Sequence, residues 1–318
     1  MIRVTVAICT WNRAALLGKT LEQMTRLSIP ANAEWELLVV NNNCTDDTEQ
    51  VVRSFADRLP VRHLFEPHPG QSAARNRAVR EATGDYIVWT DDDVLVDPDW
   101  LGAYARAFAR WPEAAVFGGP IEPWFEGTPP AWVVEVFPNI QPAFATVDLG
   151  PEPVRLAPPG HLPYGANMAF RLSEQRRFTY DVSLGLRPNS QMRGEETALL
   201  WKLVAETAGG WWVPDARVRH FIPRHRQSWG FLRRFYEGYG HYLAQASPDH
   251  ASASLLGRPR WLWRSVVGNG LAYAVRRLTF ARPTTWIENF KELHISWGYL
   301  SRHPHRRSMP PREALTRS

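Results

Sequence analysis

Three apolar runs in the first ninety residues each stop at a cluster of polar side chains, and that repeated arrangement limits the folds open to this chain. Val4, Val6 and Ile8 lie in a run ending at Cys9-Thr10-Trp11-Asn12. A second run, 35–40, ends at Asn41-Asn42-Asn43, and a third, 85–89, ends at Thr90-Asp91-Asp92-Asp93. Between them Leu16, Leu17, Leu21, Met24 and Leu27 recur at helical spacing, and Val51, Val52 and Phe55 do so after the cap-rich Thr45-Asp46-Asp47. Residues 61–65 read as a short strand, 72–82 as a helix of small residues, and Asp97-Pro98 as a helix start with proline at the first helical position. This alternation predicts an α/β fold: a Rossmann-like, mainly parallel sheet flanked by helices, with ligands beyond the carboxyl ends of the strands. All three polar clusters fall at those ends.

The composition changes further on. Residues 120–163 hold 11 prolines, so 119–163 reads as a long irregular insertion, or a flap that closes over a ligand. Mixed patterning returns over 164–245, where Ser228 is placed to cap a helix. Residues 246–318 read as a mostly helical extension. From 258 onward there are 12 Arg and Lys against 3 Glu and no Asp, a net of +9, which leaves −4 for the rest of a chain of net +5. Its interleaved Trp and Arg suit an interfacial helix on an anionic membrane surface, with packing against the first domain as the competing expectation. Nucleic acid is not an expected partner, because 1–257 is net acidic and carries no recognition motif. No apolar run approaches the ~18 residues of a spanning helix, the N-terminus does not read as a signal peptide, and only Cys9 and Cys44 are present. A cytoplasmic location is expected, with a peripheral place on the inner membrane face as the option raised by the tail.

Three adjacent carboxylates repel one another unless a cation compensates them, and an oxygen-rich site suits Mg2+ or Mn2+ held together with substrate phosphates. Capping of the following helix is the simpler explanation, but Asp97 already supplies a cap. Arg75, in Gly70-Gln71-Ser72-Ala73-Ala74-Arg75-Asn76, offers a fork of donors to a diphosphate.

Thr10-Trp11-Asn12-Arg13, Val39–Asn43, Ala74-Arg75-Asn76, Thr90–Asp93, Gly165–Phe170, Gly194-Glu195-Glu196-Thr197 and Val218-Arg219-His220 resemble, in identity and order, the family 2 glycosyltransferases. The likeness covers about residues 1–240. It implies a GT-A fold, a nucleotide-diphosphate sugar donor, a divalent cation, and transfer with inversion to a hydroxyl of a glycan or lipid-linked acceptor. On this resemblance 1–118 is the nucleotide-sugar-binding half and 164–245 the acceptor and catalytic-base half. Thr10, Trp11, Asn12, Arg13, Asn41, Arg75, Asp91 and Asp92 would bind the donor. Asn41 stands where the family usually has an aspartate, which leaves the nucleotide open. Asp93 would lead the metal ligands, with Asp91 and His220. Glu196 is favoured as general base, Glu195 being the alternative. Trp124, Trp132 and Asn167 are candidates for the acceptor side.

Other chemistries compete. Asp91-Xaa-Asp93 after a strand resembles a haloacid-dehalogenase-type phosphatase, but Leu95 stands where that motif wants Thr or Val. The nucleotidyltransferases that form sugar nucleotides would need a glycine-rich N-terminal loop that this sequence lacks. A non-enzymatic carbohydrate-binding protein would use the 15 tryptophans and leave the ordered carboxylates unexplained.

Overall fold

The computed structural model describes residues 1–156, 162–182, 195–246 and 254–302, with the backbone alone at 195–198, 201, 245, 246 and 302. Two compact units divide the chain: Met1–Pro129 with Ile140–Gln227, and Pro130–Asn139 with Ser228–Ser318. The first unit opens as the periodicity predicts, with β1 (Ile2–Thr10), α1 (Ala14–Met24), β2 (Ala33–Asn41), α2 (Thr48–Arg53), β3 (Val61–Phe65), α3 (Gln71–Glu81) and β4 (Tyr86–Asp91). Next come β5 (Val94–Val96), α4 (Trp100–Arg110), β6 (Val116–Gly118), β7 (Ile121–Phe125), α5 (Ala131–Ile140), β8 (Arg155–Leu156), β9 (Met168–Arg171), α6 (Leu172–Gln175), α7 (Glu195–Glu206), β10 (Gly210–Trp212) and β11 (Val218–Ile222).

Eight strands form the main sheet in the order β3-β2-β1-β4-β9-β6-β10-β8. The β3-β2-β1-β4 block is parallel, and β9 runs antiparallel between β4 and β6. The chain builds outward from β1 through β2 to β3 and then returns to the other side of β1, so the topological switch point lies between β1 and β4. Open α/β sheets bind ligands at that point, past the strands' carboxyl ends. Cys9 pairs with Asp91 there, which brings Thr10 and the aspartates together.

Both faces of the sheet are buried, as parallel strands require. Val4, Val6 and Ile8 of β1 and Tyr86 and Val88 of β4 pack with Leu17, Leu21 and Met24 of α1 and with α4. Ala7, Ile87 and Trp89 point the other way, onto Ala74 and Ala78 of α3 and Leu199, Leu200 and Leu203 of α7. The small side chains of α3 let its backbone come close to the sheet, so the helix needs no large apolar stripe.

Two expectations change, and one element is new. Helix α4 begins at Trp100 with Asp99 at its N-cap, not at Pro98. The Pro98 carbonyl instead accepts the Ser28 N–H at 2.8 Å, tying this turn to the segment after α1. The proline-rich stretch is not uniformly irregular, since it supplies β7, α5 and β8. Pro123 is tolerated because β7 is an edge strand of a second, three-stranded sheet, β5-β11-β7. That sheet was not anticipated, and it completes the site.

In the second unit α8 (Trp229–Ala246) and α10 (Pro283–Arg302) cross at Gly240 and Gly298. A Cβ on Gly240 would lie 2.1 Å from the Ile295 carbonyl oxygen, so only glycine admits this approach. The hairpin strands β12 (Ser254–Leu255) and β13 (Arg258–Pro259) precede α9 (Arg260–Leu278). Trp132 of α5 stacks on Trp229 at 3.8 Å, and Trp229 meets Trp286 and Phe290. Among the described residues no helix is long and apolar enough to cross a membrane.

Candidate active site

The carboxylate cluster is positioned by two strand pairings. β4 delivers Asp91 beside β1, and the chain then turns through Asp92 and Asp93 into β5. β5 pairs antiparallel with β11, placing His220 opposite Val94, and the Phe221 N–H donates to the Asp93 carbonyl at 2.9 Å. Strict alternation in β11 buries Val218, His220 and Ile222 and turns Arg219 and Phe221 outward. Register therefore brings a histidine from residue 220 to a carboxylate at residue 93.

One oxygen or nitrogen from each of Asp91, Asp93 and His220 falls within 4.8 Å of the others. His220 Nδ1 lies 2.8 Å from the Phe144 carbonyl oxygen. A carbonyl only accepts, so Nδ1 donates, and in the neutral ring Nε2 carries the lone pair. That Nε2 points at Asp93 Oδ1, 3.5 Å away. Asp93 Oδ1 is itself buried with no hydrogen-bond partner. A cation between this nitrogen and the carboxylate oxygen would make ligands of both. Two carboxylate oxygens and an imidazole oriented by a backbone carbonyl suit Mn2+ or Mg2+ completed by water and phosphate oxygens.

The middle aspartate does different work. Asp92 Oδ2 accepts from Thr10 Oγ1 at 2.7 Å and Oδ1 accepts from Arg13 Nη1 at 3.0 Å, while its backbone carbonyl takes the Thr20 hydroxyl at 3.0 Å. The same Arg13 nitrogen donates to Asp93 Oδ2 at 2.7 Å. Burial works to lower the Arg13 pKa, but the charges of Asp92 and Asp93 outweigh it and hold the guanidinium firmly protonated. Burial pushes the Asp92 carboxyl up to about 7; Arg13 and Thr10 oppose the rise, and Asp93 adds to it. Three carboxyl groups against one guanidinium make the place where β1 and β4 end rich in acidic oxygen.

The direction of that shift sets a pH dependence for the metal-free protein. Unfolded, Asp92 ionises near pH ~4; folded, it ionises only as the pH reaches about 7. The folded state therefore holds the extra proton between these values, and stability from this group falls as pH rises from ~4 to ~7, then levels. Thermal unfolding in chelator across this range should show the slope, and Asp92→Asn should flatten it. An unchanged slope in that variant places the titration elsewhere.

The loops beside the cluster are laced together. Asn12, in the left-handed region at φ 52°, accepts the Thr45 N–H on its Oδ1 at 2.7 Å. Asp46 caps α1 from the neighbouring loop by accepting the Ala14 N–H at 2.9 Å. Asn41 Oδ1 accepts the Cys44 N–H at 2.8 Å, so a nucleotide base would meet an oxygen already engaged. Asn42, which the sequence did not single out, donates to the Glu66 and His68 carbonyls and accepts from Gly70 N–H, joining the loop after β2 to the start of α3. Trp11 stands exposed at the rim.

Other expected site residues are placed differently. Arg75 is 2% exposed, its guanidinium 5.8 Å from the Trp89 ring and 5.3 Å from that of Tyr180. The arginine lying on the aspartates is Arg13. Asn167 is fully buried. Its Oδ1 accepts from Trp100 Nε1 and Tyr104 Oη, and its Nδ2 donates to the Pro120 and Ala216 carbonyls, which uses its whole capacity in the core rather than on an acceptor. Gly119 makes room for this clamp, since a Cβ there would lie 2.8 Å from Asn167 Nδ2. Asn167→Ala leaves three buried groups, Trp100 Nε1, Tyr104 Oη and the Ala216 carbonyl, without the bond it made, the Pro120 carbonyl keeping the Val218 N–H, and is expected to cost about 3–5 kcal/mol in urea unfolding. A loss under ~1 kcal/mol would show that water takes over the clamp.

Trp124 on β7 sits half-buried against Phe221, one register step beyond His220. Trp132 belongs to the second unit. Glu195 and Glu196 open α7, but their side chains and Gly194 lie outside the described residues.

Residues 5–155 match the family model described as glycosyl transferase family 2. The chain is 27% identical over 260 residues to the succinoglycan biosynthesis protein ExoM of Rhizobium meliloti, covering 78% of this chain and 77% of that protein. It is 35% identical over 108 residues to a validoxylamine A glucosyltransferase of Streptomyces hygroscopicus, where the match spans 33% of this chain but 25% of the relative. In fold it is similar to the mannosyltransferase PcManGT of Pyrobaculum calidifontis, solved with GDP-Man and Mn2+, with a TM-score of 0.62 at 20% identity over 93% of this chain and 86% of that one. S. aureus TarS 1-349, solved with UDP-GlcNAc, aligns with a TM-score of 0.52 at 14% identity, over 93% of this chain and 91% of that one. The fold shared with these enzymes is GT-A.

Proposed function

We propose, for a glycosyltransferase that belongs to glycosyl transferase family 2 through residues 5–155, a metal-dependent inverting transfer from a nucleotide-diphosphate sugar to a hydroxyl acceptor. The observation that carries it is the meeting of Asp91, Asp93 and His220 at the switch point of the sheet. Similarity to a succinoglycan biosynthesis protein supports a glycan or lipid-linked glycan as acceptor, in polysaccharide or cell-surface glycan synthesis. A cytoplasmic enzyme, peripheral on the inner membrane face, fits the basic C-terminal extension.

Asp93, Asp91 and His220 hold the cation, Mg2+ or Mn2+. When bound, it supplies positive charge to the diphosphate that leaves. Arg13, fixed by Asp92 and Asp93, adds a permanent charge beside it. Thr10, Trp11, Asn12 and Asn41 line the strand ends where the nucleoside would lie. Departure of the nucleoside diphosphate leaves an anomeric carbon of oxocarbenium character. Glu196, or Glu195 beside it, takes the acceptor proton as its oxygen attacks the opposite face. Trp124 offers a ring face for the acceptor sugar.

A panel of sugar nucleotides, each with and without Mn2+ or Mg2+, tests this. One nucleotide class should raise the melting temperature only with metal, by up to ~2.7 kcal/mol of stability at a hundredfold excess over Kd. The same donor should release its nucleoside diphosphate when an acceptor is supplied. Release of phosphate from simple phosphate esters, with no response to any sugar nucleotide, would favour the phosphatase instead.

A further inference from the structure

Helix α9 turns most of its large aliphatic side chains outward. Its seam with α10 mixes polar and aromatic contacts: Ser265 Oγ lies 2.7 Å from Ser296 Oγ, Asn269 Oδ1 accepts from Asn289 Nδ2 at 2.9 Å, and Tyr273 packs on Trp286 and Phe290. Val267, Leu271, Val275 and Leu278, which recur every three or four residues and so share one helix face, point outward. Leu271 is 63% exposed and Leu278 78%. Only Leu262 of the 19 residues in α9 is buried.

Large apolar side chains are also displayed at both ends of this helix. Leu256 is 80% exposed at the tip of the β12–β13 hairpin, and Phe280 is 95% exposed just past α9. Both have positive φ, 53° and 54°, a conformation that Gly or Asn adopts readily and a bulky residue does not. Two turns thus carry strained backbone to present a hydrocarbon side chain to the outside. The charge around them has one sign. Residues 250–287 contain six arginines, at 258, 260, 264, 276, 277 and 282, and no Asp or Glu.

We propose that the outward face of α9, with Leu256 and Phe280 at its ends, is a membrane-contact surface that docks on an anionic lipid bilayer. It deepens the peripheral location proposed above and does not rest on the donor chemistry. The apolar stripe enters the boundary between headgroups and acyl chains, while the arginines reach lipid phosphates. At ~1.5 Å per residue α9 presents a contact roughly 28 Å long. No described helix is apolar enough to cross, so α9 lies in the membrane plane.

Flotation of the full chain with zwitterionic vesicles and with vesicles of about 30% anionic phospholipid tests this. The wild type should float with the anionic vesicles and be partly released by added salt. Leu271→Glu with Val275→Glu should lower the partition coefficient at least about tenfold. Leu256→Asn with Phe280→Asn, which relieves both turns and so keeps the fold, should also lower it. Both pairs should keep the metal-dependent thermal shift with sugar nucleotide. A wild type that ignores anionic vesicles overturns the location and the surface together. Wild-type flotation matched by both variant pairs overturns the surface and leaves the location standing. A stable dimer that Leu271→Glu dissociates, with no flotation, makes the face a protein interface and overturns the proposal.

Discussion

Asp93→Asn should abolish the metal-dependent thermal shift with sugar nucleotide and lower the transfer rate by on the order of 10³-fold, about 4 kcal/mol of transition-state stabilisation. Asp93 is the one carboxylate that faces both His220 and Arg13. Its Oδ1 is the buried oxygen that lacks a hydrogen-bond partner, and Oδ2 holds the guanidinium. Asn keeps the volume and the acceptor that Arg13 uses, so folding should change little. It removes the negative charge that holds a dication. Titration of the variant with Mn2+ and donor by calorimetry, beside the wild type, reads the loss directly. Wild-type metal affinity in Asp93→Asn would move the cation away from this cluster.

Glu196→Gln should cost ~10²–10⁴-fold in transfer, the usual contribution of a general base, with donor affinity unchanged. The base acts on the acceptor, so its loss leaves the metal, the diphosphate contacts and the thermal shift intact. Gln keeps the shape and cannot take a proton. Glu195→Gln separates the two adjacent candidates, since one of the pair should retain near wild-type transfer. Single-turnover assays with saturating donor and acceptor read the chemical step. If neither change slows it, the base lies outside α7.

Much of this protein was legible before its coordinates. The alternation from Val4 to Trp89 placed four parallel strands and three helices, because parallel strands buried on both faces must be nearly continuous apolar runs, and the chain must turn where they stop. The clusters at 10–13, 41–47 and 90–93 could be assigned to one sheet edge for the same reason. What could not be read was length-limited or register-limited. Val94-Leu95-Val96 is too short to show a period, and Pro123 argues against a strand unless the strand is known to be an edge. Asn167 looked like a polar group waiting for a ligand, and four partners far apart in sequence made it a core clamp. The contact of Arg13 with the aspartates could not be read for a similar reason: a guanidinium's partners depend on which carboxylates the fold brings to it.

Local patterning by itself determined the class of fold and the edge at which its chemistry gathers, since side-chain periodicity and strand termination act within a few residues. Tertiary structure alone decided which atoms meet. The pairing of β5 with β11 carries His220 across more than a hundred residues of chain to Asp93, and the seam that Ser265, Asn269 and Tyr273 make with α10 leaves the aliphatic face of α9 outward. Such choices follow from register and from packing between distant segments, and no window of neighbouring residues contains them.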